Sequence, residues 1–140
     1  MAPGRSISTP EIMVTVTNDG LERVDDIVHG RVDDEIHAIA VGTGTGNEGT
    51  GADALANEAY RSNKDNGDVR FDDTGGIGET EAVIEVTAGG GTANVAGGTE
   101  ISEMAIFSEA GELIAIDEFA SVQIPTGHTE QFVMPTNYTR

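Results

Sequence analysis

The segment Ile101–Phe119, ISEMAIFSEAGELIAIDEF, constrains the fold of this chain more than any other. Two apolar runs, Ile101–Ser108 and Leu113–Phe119, flank Glu109–Ala110–Gly111–Glu112. Apolar runs of this length on either side of a short polar break pair as strands. The glycine between them supplies the positive φ that a tight turn needs. The segment therefore reads as a β-hairpin.

The rest of the chain continues in short β-forming runs. Ile12–Thr17, Ile36–Val41, Val69–Phe71, Glu79–Thr87 and Gln131–Met134 are strand candidates. Glu79–Thr87 alternates, with Ala82, Ile84 and Val86 on one line and Glu81, Val83 and Glu85 on the other. Ile36–Val41 breaks strict alternation at Ile36, Ile39 and Val41, so both of its faces should be buried. Leu21, Val24, Ile27 and Val28 have the spacing of one helical face, with Asp19 a candidate cap and Gly30 a candidate terminator. A second short helix is expected over Ala52–Arg61, with Leu55 and Ala59 turned inward. Gly42–Gly51 reads as a flexible crossover, Ser62–Gly67 as a polar turn and Ala88–Gly98 as a long loop. Strands in series with one or two short helices give a mainly β fold, an antiparallel β-sandwich or barrel-like module. Residues 1–11 form an N-terminal arm and residues 12–140 a single domain.

Composition narrows the function. The chain has 25 acids against 7 bases, a net charge of -18, and Lys64 is its one lysine. Such a surface repels nucleic acid and anionic membranes. The acids lie between β-branched runs rather than in one block, as on the exposed faces of folded strands. Dispersed carboxylates with almost no lysine fit a protein that works in concentrated salt, where the Debye length shrinks to about 3 Å and self-repulsion is screened. The absence of cysteine excludes disulfides, thiolate catalysis and Cys-based zinc sites. No apolar run approaches the length of a membrane span, and the start lacks the hydrophobic stretch of a signal peptide. Assembly inside a cell is expected.

Several constellations invite a chemical reading. Gly42–Gly51 superficially matches a phosphate loop but lacks the terminal Gly-Lys-Ser/Thr and any nearby lysine. The pairs Asp25–Asp26, Asp33–Asp34 and Asp72–Asp73 read as solvated surface. Asp65 and Asp68, in a turn of hard oxygen donors, are a weak calcium candidate without EF-hand spacing. His29, His37 and His128 have no metal-ligand spacing to one another. Ser102, Ser108 and Ser121 lack a nucleophile-elbow context. No catalytic residue and no cofactor is assigned, and the expectation is a protein that is not an enzyme.

The order of features resembles a family of small β-rich structural proteins of tailed bacteriophages and tailed archaeal viruses. The matching positions are Val28–Gly30, the strand and turn Ile39–Thr45 (IAVGTGT), then Ala54, Leu55, Glu58 and Arg61. Downstream they are Ile101, Glu103, Ala105–Phe107, Gly111, Leu113–Phe119 and Gln131–Tyr138. Ala105 stands where the family commonly has glycine, and the usual base after the second Leu-x-Ala is absent. The resemblance implies a non-enzymatic virion subunit of the tail, baseplate, fibre attachment or capsid surface. With the acidic surface, it implies a virus of a halophilic archaeon. Its partners would be copies of itself, other virion proteins and the host surface, and its location the virion after assembly in the host cytoplasm.

Phe107, Phe119, Phe132 and Met134 are the candidate contact residues, with core packing as the alternative for each. The arm, with Ala2, Pro3 and Pro10, is the better clamp, because a segment without its own core gains order only by binding. A receptor- or glycan-binding module using Gly42–Gly51 and Ala88–Gly98 is the rival function, short of aromatics for sugar stacking. One prediction follows from charge alone. The melting temperature should fall as salt is lowered from molar to tens of millimolar. A flat profile across that range would count against adaptation to salt.

Overall fold

Strands form where β-branched runs lie between glycine-rich breaks, and they stack as two antiparallel sheets in this computed structural model, which describes residues 14–74 and 80–136. In chain order the elements are β1 (Thr15–Val16), α1 (Asn18–Val28), β2 (Ile36–Gly42), β3 (Glu58–Asn63), β4 (Val69–Asp73), β5 (Thr80–Thr87), β6 (Thr99–Ser108), β7 (Leu113–Ile124) and β8 (Thr129–Thr136). One sheet runs β1-β7-β6-β2-β3 and the other β4-β5-β8. The fold is thus mainly β, a sandwich-like module with one short helix. The arm residues Ala2, Pro3 and Pro10 lie outside the described residues, as do the beginnings of the expected strands Ile12–Thr17 and Glu79–Thr87.

The main core fills the space between the sheets. Ile39 and Val41 of β2, Met104 and Ile106 of β6 and Ile114 and Ile124 of β7 meet Ile84 and Val86 of β5 and Phe132 and Met134 of β8. A second apolar cluster covers the opposite face of the larger sheet, where Ala52 and Leu55 lie over Ala38, Ala40, Ala105 and Phe107. β2 is therefore buried on both faces, as its broken alternation predicts. Its outer residues are alanines, which allow the covering loop to lie close.

The β6–β7 hairpin turns where expected. Gly111 has φ 95° and its N–H donates to the Ser108 carbonyl at 2.9 Å. Phe107, Phe132 and Met134 are 2%, 0% and 0% exposed, so these proposed contact residues belong to the interior of one chain. Phe119 is half-buried and stacks on Phe132, with ring centroids 6.0 Å apart. The guanidinium of Arg61 covers Phe107 at 3.7 Å from the ring centre.

Three expectations require correction. The helix cap is Thr17 rather than Asp19. Its Oγ1 accepts from Gly20 N–H at 2.8 Å and donates to the Leu113 carbonyl at 2.9 Å, so it anchors the helix to β7 as well. Asp19 sits in the first turn, where its charge suits the helix dipole. Gly30, at φ 69°, follows the helix end as predicted. Ala52–Arg61 is not helical: residues 52–57 are irregular and the remainder enters β3, leaving Ala59 exposed while Leu55 is buried. Gly42–Gly51 does not cross between sheets. It belongs to the connection between the adjacent antiparallel strands β2 and β3.

Helix α1 approaches β7 so closely that a Cβ on Gly20 would lie 2.1 Å from the Ile114 carbonyl oxygen. In an isolated helix, Gly→Ala gains about 1 kcal/mol. Here overpacking against backbone should cost about 1–3 kcal/mol or more and reverse the sign. Gly20→Ala should therefore lower the melting temperature in high salt. An equal or higher value would show that the helix shifts away from β7 at little cost.

Candidate functional site

The connection between β2 and β3 is held by carboxylates reaching up from the two longest strands. Glu103, in the middle of β6, is 0% exposed. Its Oε2 accepts from Gly44 N–H at 3.0 Å and Asn57 N–H at 2.8 Å, and its Oε1 from Ala56 N–H at 2.8 Å. Three charge-assisted bonds offset the desolvation of the carboxylate. They also take the N–H groups that a helix through Ala52–Arg61 would have needed. Ser102 Oγ donates to the Gly44 carbonyl at 2.7 Å, fixing the same turn from the other side of the peptide.

The tip of the connection is stitched to β7. Glu118 Oε2 accepts from Asn47 N–H at 2.9 Å and Glu48 N–H at 3.1 Å, while Glu48 Oε2 accepts from Glu118 N–H at 2.9 Å. Backbone N–H groups that would cradle a phosphate in a nucleotide loop thus already bind carboxylates of the same chain. Asp117, 2% exposed, lies under this exchange, and its Oδ1 has no hydrogen-bond partner. Burial and the neighbouring Glu48 carboxylate push the Asp117 carboxyl up to about 7.

Other acids have been absorbed into the fold. Asp25 and Asp26 both lie on α1 and pair with Arg31. The Asp34 side chain is 2% exposed rather than solvated. Its Oδ1 accepts from Glu35 N–H at 2.8 Å and Ala110 N–H at 3.0 Å, tying the approach to β2 to the hairpin turn. Burial raises its affinity for a proton, but the bonds from Ser108 and those two N–H groups, with Arg23 nearby, hold the carboxyl below its ordinary value. Asp72 pairs with Arg70.

The calcium candidates do not share a site. Asp68 accepts from Tyr60 Oη and from Ser62 Oγ, the latter at 2.7 Å, and braces the β3–β4 turn. The Asp65 carboxylate instead lies 4.0 Å from His37 Nε2. A set of donors the histidine spacings did not reveal sits nearby: Glu35, His37 and Glu109 place one donor atom each within 4.8 Å of one another. The available signal was Glu35-x-His37 at the entrance to a strand, a short spacing of two ligand types.

No family model, curated protein or solved structure matches the chain. Among the described residues no helix is long and apolar enough to cross a membrane.

The raised Asp117 carboxyl has a signed consequence. It binds a proton more tightly folded than unfolded, so its stabilisation is complete below about pH 4, the ordinary carboxyl range. It is lost as pH rises through about 7. In molar salt the melting temperature should therefore decline between pH 5 and 8, and Asp117→Asn should flatten that decline. An unchanged slope in the variant would remove Asp117 as its source.

Proposed function

We propose that this chain is a non-enzymatic structural subunit of a salt-adapted tailed virus, acting as a homo-oligomer in the tail, the baseplate or a capsid-surface appendage. One observation carries the reading. The two segments that resemble virion proteins, Ile39–Thr45 and Ile101–Phe119, form adjacent strands, with Ala40 opposite Ala105 and Gly42 opposite Glu103. Glu103 of the second segment binds the Gly44 N–H of the first. The resemblance thus falls on one physical unit whose acidic residue has a defined bracing role. A small sandwich module suits repetition in a closed ring, the common solution for homo-oligomers.

A glycan- or receptor-binding role has one supporting observation. The β2–β3 connection and the loop entering β6 leave the same end of the larger sheet, because β2 runs antiparallel to β6 and ends at Gly42 opposite Glu103, on the side of β6 that begins at Thr99.

Assembly is the test. Sedimentation in molar salt should give one oligomer of fixed mass over a wide concentration range. A monomer throughout would sink the subunit reading. Deleting residues 2–9 should leave the β circular-dichroism signal intact and weaken assembly, since Pro3 and Pro10 lower the ordering cost of the arm. Unchanged oligomer mass after the deletion would leave the arm without a role in self-assembly.

A further inference from the structure

At the other end of β2, away from the carboxylate-braced connection, three donors of mixed chemistry converge beside the hairpin turn. His37 Nδ1 is buried, without a hydrogen-bond partner, and 3.7 Å from Glu35 Oε2. That separation is too long for a hydrogen bond. Two donors bound to one zinc ion at ordinary lengths stand about 3.3–3.5 Å apart in tetrahedral geometry. The spacing therefore suits a shared ion better than a shared proton. Glu109, in the exposed turn, completes a set whose donor atoms all lie within 4.8 Å. Both glutamates are exposed, and small rotamer changes would close that distance.

We propose that Glu35, His37 and Glu109 bind a divalent first-row transition ion that clips the β6–β7 turn to the start of β2.

The backbone is arranged for it. The β2–β6 register passes from Ile36 opposite Ser108 to Ala38 opposite Phe107, which makes His37 the extra residue of a β-bulge. Bulges re-aim a side chain out of the regular pleat. The neighbouring peptides are fixed as well, with Glu109 N–H on the Glu35 carbonyl at 2.8 Å and Lys64 N–H on the His37 carbonyl at 3.0 Å. The second imidazole nitrogen lies 4.0 Å from the exposed Asp65 carboxylate, which is not a hydrogen bond but brings within a rotamer change the kind of outer partner that sets the tautomer of a metal-bound histidine. A cleft of about 380 Å³, lined by His37, Glu109 and Asn66 among others, gives an ion a path from solvent.

The donor set selects the ion. Calcium and magnesium prefer oxygen donors throughout. One imidazole with two carboxylates suits zinc and its first-row neighbours, and three protein donors leave a position for water. Lys64 is the competitor, because its ammonium pairs with Glu35 Oε2.

The experiment is calorimetric titration of zinc nitrate into the full chain in molar sodium nitrate. That salt screens diffuse attraction to a chain of net charge -18 but leaves direct coordination intact. One zinc per chain is expected, with a rise in melting temperature, and calcium nitrate should give no saturable binding. His37→Ala should weaken zinc at least tenfold, His29→Ala should not, and Lys64→Gln should tighten it by freeing Glu35. If His37→Ala fails to fold by circular dichroism, Glu109→Gln in the exposed turn carries the same expectation of weakening. Absence of one-to-one saturable binding in the unmodified chain would overturn the proposal. So would equal zinc affinity in the unmodified chain, His37→Ala and Glu109→Gln.

Discussion

A fully buried carboxylate bound by three backbone N–H groups organises this sandwich. Removing the Glu103 charge from water costs several kcal/mol, and hydrogen bonds to charged groups return about 1.5–3 kcal/mol each. With three of them the site is satisfied only when Gly44, Ala56 and Asn57 converge on it. That requirement folds the β2–β3 connection back over the outer face of the larger sheet. Leu55 and Ala52 then bury the alanines and Phe107 beneath them. A Cβ on Gly42 would lie 2.3 Å from Glu103 Oε2, so the carboxylate also dictates a glycine at the end of β2.

The excess of acids divides into two populations. Some are committed to the fold as acceptors for backbone N–H groups: Glu103, Asp34, Glu48 and Glu118. Others neutralise the few bases. Among the described residues every arginine and the lysine lies in an ion pair, with Arg23, Arg31, Arg61, Lys64 and Arg70 each facing acids. Exposed pairs of this kind contribute about 0–1 kcal/mol apiece, so they do not hold the sandwich together. Their effect is to leave the remaining surface uniformly negative. Among the buried carboxyl groups the signs differ. Asp34 favours its charged form and Asp117 its protonated form, so acid weakens one contact and alkali the other.

The two ends of β2 are built for different work. At Gly42 the connection to β3 spends N–H groups of Gly44, Asn47, Glu48, Ala56 and Asn57 on internal carboxylates, so these are already taken as anion donors. At Ile36 a bulge turns His37 toward two glutamates and away from the regular pleat.

The amino-acid sequence by itself determined the strands other than β3, the hairpin with its glycine turn and the double burial of β2. These depend on side-chain periodicity and on backbone freedom at single residues, both local properties. Helix α1 was legible for the same reason, although its cap moved to Thr17, whose hydroxyl is shared with a carbonyl of β7 far along the chain. Only the tertiary structure decided the fate of Ala52–Arg61. Its helical spacing was real, but Glu103, more than forty residues away, captured the N–H groups a helix needs. The meeting of Glu35 and His37 with Glu109 has the same origin, since strand pairing across β2 and β6 sets that distance and no spacing in the sequence encodes it.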